Sequence, residues 1–302
     1  MKQVLLACLS VLLLTACSDP KYEVQGDVVV RSHWTFSFGT CYDTLPGADP
    51  ATFEQVKDWL GHDSERVYFK STLVPGVDVA TLKAERYPLF HDKKDYYYET
   101  KALHVADIAS FKVIKWFDED CWAKDSRCAY YDTVRIDGVD LSTFKVTDKW
   151  TARDKYHVYV KGLLLPDADP ATFKSIAGSL YYRDKSHVWE MDRMLVGADP
   201  ATFEVIKDSY YVRDKSHVWF SGPENILLVG ADPSTFEVIG KSYYVRDKSH
   251  IWFQDVLLED ADYDSFVAEY ESFAHDKHGS FIGSQRDTDP VDAPLGEEPE
   301  PE

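Results

Sequence analysis

The sequence is short of positive charge and of cysteine. It carries 33 Lys and Arg against 52 Asp and Glu, a formal net charge of −19, and it has five cysteines. Nucleic acid and anionic lipid headgroups repel a chain this acidic, so a nucleic-acid partner is excluded. After residue 16 the sequence also lacks any apolar run near the ~20 residues that a membrane-spanning helix needs.

Motifs typical of several enzyme and metal-binding classes are absent. The sequence has no Gly-rich phosphate loop, no G-x-S-x-G, no H-E-x-x-H and no calcium loop of the D-x-D-x-D-G type. We therefore expect a non-enzymatic protein with no catalytic residues, no cofactor and no metal.

The N-terminus is typical of a bacterial lipoprotein. Lys2 precedes an apolar run, and Leu14-Thr15-Ala16-Cys17 matches a lipobox. We expect residues 1–16 to be a signal peptide and Cys17 to be lipidated, which anchors the protein to a membrane of the bacterial cell envelope. That membrane would be the outer membrane in a Gram-negative cell. The alternative is an ordinary signal peptide in which Cys17 is incidental.

A hairpin phrase recurs along the chain, as in YYVRDKSHVW around Asp214. Its aspartates recur every 29 to 33 residues, a period that indicates a repeat array. An aromatic residue stands five positions after each of them, and most copies have an aromatic three positions before. The aspartates are Asp63, Asp92, Asp125, Asp154, Asp184, Asp214, Asp247 and Asp276.

The phrase predicts a β-hairpin with Asp at the start of the turn. If the turn centres on the residue after Asp214, Tyr211 and Trp219 form a cross-strand aromatic pair. Val212 and Val218 are apolar too, so we expect both faces of the strands to be covered.

A second phrase, GADPATFE, alternates with the first. Asp followed by Pro predicts a capped helical turn, which then directs Phe203 and its equivalents into the core. The capping aspartates are Asp49, Asp78, Asp107, Asp140, Asp169, Asp199, Asp232 and Asp262.

These phrases resemble the DKNYY family of bacterial repeat proteins, which has no established activity. The period and the two phrases predict an all-β array of about eight ~30-residue hairpin units, with an open solenoid as the favoured arrangement. A closed propeller-like ring is the alternative, and it is less favoured because ~30 residues hardly accommodate the four strands of a ~40-residue blade. We predict a lipidated N-terminus and degenerate first repeat at 17–46, DKNYY-like repeats at 47–282 and an acidic disordered tail at 283–302.

Four histidines occupy one equivalent position, three residues after the hairpin aspartate. Equivalent residues of successive hairpins should lie ~10 Å apart, too far to share a metal ion. We expect a structural role for them. They are His157, His187, His217 and His250.

The repeat that contains Asp125 is longer than the others, and a singular place is where a repeat protein can hold a site. We predict ligand contacts from Trp116, Phe117, Asp118, Glu119, Asp120 and Trp122, which would suit a glycan or an envelope protein. The alternatives are a bulged strand with inward-facing aromatics, or a glycan-active enzyme that uses these acidic residues. Whether Cys121 and Cys128 form a disulfide is left open, as is the state of Cys41. The segment SGPENIL after Phe220 is interpreted as a lengthened turn.

Overall fold

The computed structural model describes residues 20–287. The predicted signal peptide, Cys17 and the part of the predicted tail from residue 288 onward lie outside these residues. Within residues 20–287, no helix has both the length and the apolar character needed to span a bilayer.

The protein is an all-β repeat array, as predicted. Its described residues form nine small antiparallel sheets, and in each of them neighbouring strands are consecutive in the chain. The only helical elements of the described residues are the 3-10 turns Val79–Thr81 and Ile108–Ser110. The described residues divide into two compact units, of which the first ends at Leu164 and the second begins at Leu165.

The first unit begins with a three-stranded sheet, followed by sheets of four strands, and the last strand of sheet 5 ends one residue beyond it, at Leu165. Sheet 1 comprises Tyr22–Gln25, Val28–Thr35 and Gly39–Thr44; sheet 2 comprises Glu54–Lys57, Leu60–His62, Val67–Phe69 and Thr72–Val74; sheet 3 comprises Lys83–Ala84, Leu89–His91, Tyr96–Tyr98 and Lys101–Ala102; sheet 4 comprises Lys112–Phe117, Asp120–Lys124, Ala129–Tyr131 and Val134–Ile136; sheet 5 comprises Lys145–Val146, Thr151–Arg153, Val158–Val160 and Leu163–Leu165.

The second unit holds four sheets of four strands. The last of its strands lies past residue 282, so the repeat region extends beyond its predicted end. Sheet 6 comprises Lys174–Ser175, Tyr181–Arg183, Val188–Glu190 and Arg193–Met194; sheet 7 comprises Glu204–Val205, Tyr211–Arg213, Val218–Ser221 and Asn225–Leu227; sheet 8 comprises Glu237–Val238, Tyr244–Arg246, Ile251–Phe253 and Val256–Leu257; sheet 9 comprises Val267–Tyr270, Phe273–Asp276, Gly279–Ile282 and Gln285–Arg286.

Four strands do fit into a ~30-residue repeat, contrary to the argument made from sequence. The strands are very short: in sheet 8 the outer two, Glu237–Val238 and Val256–Leu257, have two residues each. The capped turn takes up the remaining length. Repeat length alone therefore does not limit this chain to two-stranded hairpins.

The predicted pairing of Tyr211 with Trp219 is wrong by one position. Tyr211 lies opposite Phe220, and Trp219 lies opposite Val212. The loop holds four residues, Asp214 to His217, and the Asp214 N–H donates to the His217 carbonyl. The turn therefore centres between Lys215 and Ser216. A shift of one residue moves a side chain to the other face of the sheet.

Both faces of the hairpin strands of sheet 7 are buried, as predicted, and each face belongs to a different core, whereas in sheet 9 Phe273 and Ile282 leave one face exposed. Val212 and Trp219 pack with Tyr181 and Val188 of the preceding sheet. On the opposite face of sheet 7, Tyr211 packs in a cluster that includes residues of sheet 8. Each core is thus shared by two sheets that follow each other in the chain.

The GADPATFE phrase forms a single turn capped by its aspartate. The Asp199 carboxylate accepts the Ala201 N–H at 2.9 Å and the Thr202 hydroxyl at 3.1 Å. The Phe203 N–H donates to the Asp199 carbonyl at 3.0 Å, which brings the Phe203 ring into the core. The predicted cap is confirmed in this copy, although the turn is too short to form an α-helix. The side chains of Asp78 and Asp107 make no capping hydrogen bond to the 3-10 turns that follow them.

Candidate functional site

The aspartate of the hairpin phrase is buried and joins its hairpin to the capped turn. Asp214 is 3% exposed. Its Oδ1 accepts the N–H groups of Ser216 at 2.6 Å and His217 at 2.7 Å. Its Oδ2 accepts the Asp199 N–H at 2.8 Å. We call a hairpin aspartate together with the N–H groups that it accepts a hub.

The hub recurs in all eight four-stranded sheets. In each, the buried hairpin aspartate accepts the backbone N–H of the aspartate that caps the preceding turn. The pairs are Asp63 with Asp49, Asp92 with Asp78, Asp125 with Asp107, Asp154 with Asp140, Asp184 with Asp169, Asp214 with Asp199, Asp247 with Asp232, and Asp276 with Asp262.

Hydrogen bonds lower the pKa of the hub carboxylates of Asp214 and Asp125 in spite of their burial. Burial alone would raise the pKa of Asp214, but the N–H groups of Asp199, Ser216 and His217 outweigh it and hold the pKa below its usual value. The pKa of Asp125 is lowered against the same penalty of burial by Tyr130 and by backbone N–H groups. A carboxylate so enclosed has no free oxygen to offer a ligand.

The lysine after the hub aspartate stays at the surface and closes a second link. The Lys215 ammonium lies 2.7 Å from Asp199, and the Lys215 N–H donates to the Thr202 hydroxyl at 3.2 Å. The same ion pair forms at Lys93, Lys185, Lys248 and Lys277. The Asp-Lys dipeptide therefore contacts the capped turn twice: the buried aspartate accepts the N–H of the capping aspartate, and the exposed lysine pairs with the carboxylate of that same residue.

The repeated histidines each serve their own hairpin. In the His217 copy, Nδ1 lies 3.4 Å from the Asp214 carboxylate, and the ring centroid lies 5.3 Å from that of Trp219. His187 and His250 contact their aspartate and tryptophan in the same way. Among residues 20–287, no group of three or more His, Cys, Asp or Glu side chains is placed to hold a metal ion.

The extra residues of the irregular repeat lengthen the outer hairpin of sheet 4. Its two strands are Lys112–Phe117 and Asp120–Lys124, with a bulge between Val113 and Lys115. Asp118 and Glu119 form the exposed turn, while Trp116 and Phe117 are half-buried. The predicted candidates are thus split between a surface turn and a partly covered strand.

Trp122 is not a ligand-binding residue, which corrects the prediction. It is completely buried, and its Nε1 donates to the Lys149 carbonyl at 3.0 Å. It occupies the regular position three residues before a hub aspartate, where Tyr211 likewise donates to a carbonyl of the next sheet. Its place in the core therefore follows from the repeat and not from the irregularity.

Basic residues of the protein already contact Trp116 and Asp120 of the predicted site. The Arg86 guanidinium lies 5.0 Å from the Trp116 ring centroid and donates to the Asp118 carbonyl at 3.0 Å. The Lys149 ammonium lies 3.0 Å from the Asp120 carboxylate. Of the predicted acidic run, Asp118 and Glu119 remain the most open to solvent.

Comparison with known protein families assigns the chain to one of them. The model of the DKNYY family matches residues 40–101 and 102–193, together just over half of the chain. The chain belongs to the DKNYY family. No curated protein and no solved structure matches it. In this DKNYY chain the phrase reads D-K-S-H-V-W around Asp214, and the first two letters are the ones that the hub and its ion pair require.

The three cysteines among the described residues of this DKNYY protein are free thiols. Cys121 and Cys128 are buried, and Cys41 is half-buried. The Asp132 N–H donates to the Cys121 carbonyl, and the Asp125 N–H donates to the Cys128 carbonyl. Cys121 and Cys128 therefore lie at opposite ends of the hairpin formed by Asp120–Lys124 and Ala129–Tyr131. Burial raises the pKa of Cys121 to about 12, so this thiol stays protonated at neutral pH.

One buried polar cluster of the DKNYY array escaped the sequence analysis. Glu190 is 8% exposed, and its carboxylate accepts from Arg193 at 2.6 Å, Ser221 at 3.1 Å and Asn225 at 2.9 Å. Ser221 and Asn225 flank the lengthened turn of SGPENIL, so that insertion supplies the partners of a buried charge. Glu190 stands where the next two repeats carry Phe220 and Phe253, a signal visible in the sequence.

Proposed function

We propose that this DKNYY protein is a lipid-anchored protein of the bacterial envelope that acts as a non-enzymatic scaffold or binding module. The occupied hubs carry this proposal. The hairpin aspartates, which recur in every four-stranded sheet, are buried and accept backbone N–H groups of their own chain. Catalysis needs a carboxylate that can reach a substrate, so the repeated residues serve the fold.

The anchoring half of the proposal is supported by the sequence of the N-terminus. Leu14 to Cys17 has the order of an aliphatic residue, two small residues and a cysteine. The described chain pairs as a β-strand from Tyr22 onward, so only a short segment separates Cys17 from the folded repeats. Two or more acyl chains on one cysteine hold a protein stably in a bilayer.

For the binding role, we propose that a glycan or an envelope protein binds at the outer edge of sheet 4. Phe117, Asp118 and Glu119 supply an aromatic ring and two carboxylates there. A glycan-active enzyme is the weaker alternative, since Lys149 pairs with Asp120 and lies 4.0 Å from Asp118.

The anchoring is tested by growing cells that express Cys17→Ala with labelled fatty acid. We expect the native chain to incorporate label and to pellet with membranes, and the variant to do neither. Cys8→Ala is the matched control, because Cys8 lies within the signal and should not affect acylation. Label on the Cys17→Ala protein at the native level would contradict the proposal.

A further inference from the structure

The tip of the hairpin in sheet 1 exposes two phenylalanines almost completely. Phe36 is 97% exposed and Phe38 is 83% exposed. They lie in the turn that joins Val28–Thr35 to Gly39–Thr44. Apart from Phe273, at 37%, the other phenylalanines of the described chain are buried or half-buried. Exposed apolar side chains grouped at one place mark a contact surface.

The residues next to the tip in the sequence are aromatic or uncharged. The Trp34 ring lies 4.7 Å from that of Phe36 in an edge-to-face arrangement. Residues 34–42 contain no charged side chain, although charged residues make up 28% of the sequence. Aromatic rings beside polar uncharged groups are favoured at the interface between water and lipid.

The N-terminal end of the strand Tyr22–Gln25 lies at the same end of sheet 1 as the tip. Tyr22 pairs with Arg31, and the Ser32 N–H donates to the Lys21 carbonyl at 2.9 Å. Because the strands are antiparallel, the chain followed backward from Tyr22 to Lys21 moves along the neighbouring strand toward the tip. The segment that leads to Cys17 is therefore attached to sheet 1 on the tip side.

The distances allow the lipid and the tip to reach one plane. Cys17 precedes Lys21 by four residues, a reach of at most about 14 Å in an extended chain. Phe36 follows Ser32 by four residues, a rise of about 13 Å along a strand. A lipid on Cys17 can therefore enter the same membrane surface as the Phe36 and Phe38 rings.

We propose that the tip from Phe36 to Phe38 inserts into the interfacial layer of the membrane that holds the lipid on Cys17, and so fixes the orientation of the protein. The proposal rests on the lipid anchoring proposed above. The net charge of −19 repels the body of the protein from anionic headgroups, whereas the uncharged tip meets no such repulsion. A second copy is a poor occupant, since a stable protein interface buries about 800 Å² per partner, more than a three-residue tip supplies.

The test uses the full acylated chain in phospholipid vesicles with a fluorophore at the tip. Ser37→Cys carries an environment-sensitive label, and Cys41→Ser removes the half-buried thiol, while Cys121 and Cys128 are buried. Ser186→Cys, on the exposed hairpin loop of sheet 6, carries the control label. With nitroxide groups on the lipid chains, we expect the tip label to be quenched at least about threefold more than the control label, as interfacial insertion requires. Adding Phe36→Ser and Phe38→Ser should remove that difference.

Equal quenching of the two labels by lipid nitroxides, with equal access to aqueous iodide, would overturn the insertion. Tip protection that appears without vesicles and grows with protein concentration would also overturn it, in favour of a second copy. The mass of the N-terminal peptide reports acylation of Cys17 separately. If Cys17 is unmodified, the proposed anchoring fails, and the same labelled chain held on nickel-chelating vesicles by a histidine tag before Ser18 decides the insertion.

Discussion

The repeats of sheet 4 and sheet 7 each contain a complete hub, although sheet 4 is lengthened before its hub aspartate and sheet 7 after it, at SGPENIL. Asp125 accepts the N–H groups of Arg127 at 2.6 Å, Cys128 at 2.7 Å and Asp107 at 3.0 Å. Asp214 accepts the three equivalent groups in sheet 7. The irregular repeat has therefore kept the whole set of bonds that joins its hairpin to its capped turn.

The two repeats differ around the hub. The outermost strand is Lys112–Phe117 in sheet 4 and only Glu204–Val205 in sheet 7. The capping aspartate pairs with Lys215 in sheet 7, whereas in sheet 4 the Ser126 hydroxyl donates to Asp107 at 2.6 Å. The comparison shows that this fold fixes the buried half of a repeat and leaves its outer edge free to change.

The largest loss of stability should come from replacing Trp122, which occupies the core position three residues before the hub aspartate. Trp122→Ala opens a cavity beside Lys149 and should lower the free energy of unfolding by about 3–5 kcal/mol. Trp116→Ala, in the added part of the hairpin, is the matched change and should cost less than about 1.5 kcal/mol because Trp116 is half-buried. Urea denaturation of both variants measures the difference. Equal losses would mean that the added hairpin is as much a part of the core as Trp122.

A smaller loss should follow from neutralising one hub. Asp214→Asn turns an amide N–H toward the Asp199 N–H, which then lacks an acceptor, at a cost of about 1–3 kcal/mol. Asp208→Asn, at an exposed turn, is the control and should cost less than about 0.5 kcal/mol. Asp125→Asn should match Asp214→Asn if the two hubs are equivalent.

The cost of Asp214→Asn should also depend on pH. The folded-state pKa of Asp214 lies below its unfolded value. The ionised hub is therefore fully stabilising above about pH 4 and loses its effect as pH falls below that value. Urea titrations at pH 7 and pH 3 should show the variant approaching the native protein at the lower pH. A cost that stays constant would contradict the hub.

The smallest expected effect is a gain in stability, from the replacement of a residue of sheet 4. Burial raises the pKa of Asp132 to about 6, although the Cys121 N–H donates to its carboxylate at 2.7 Å. Because the folded pKa exceeds the unfolded one, ionisation of Asp132 costs stability that begins to be lost above about pH 4 and is fully lost above about pH 6. Asp132→Asn keeps the acceptor and should stabilise the protein by about 1–2 kcal/mol at pH 8 and not at pH 4. A variant less stable than the native protein at pH 8 would show that the charge itself is needed.

Much of this architecture could be predicted from the period of the sequence. Eight aspartates with aromatics at fixed offsets locate the hairpins, and Asp-Pro locates the capped turns. The register could not be derived in this way, because Asp-Lys-Ser-His fits a turn centred on Lys215 as well as a four-residue loop. The number of N–H groups that the Asp214 carboxylate accepts decides between them, and that number depends on the folded loop.

The candidate site was harder to predict than the fold. Trp122 was assigned to the irregular segment, although it stands three residues before Asp125 as Tyr211 stands before Asp214. The partners of Trp116 and Glu190 come from other sheets, as Arg86 and Asn225 show. A sequence pattern read along one repeat does not contain contacts between repeats, so these could only be found in the folded chain.

The hubs have a consequence for the order in which the chain folds. Each joins groups that are close in sequence, such as Asp199 and Asp214, 15 residues apart. Closing so short a loop costs little chain entropy and is fast. Since a chain is synthesised from its N-terminus, a repeat can close its hub before the following repeat has been made. The newly closed sheet then offers its apolar face as a template, so the array can grow one sheet at a time without long-range search.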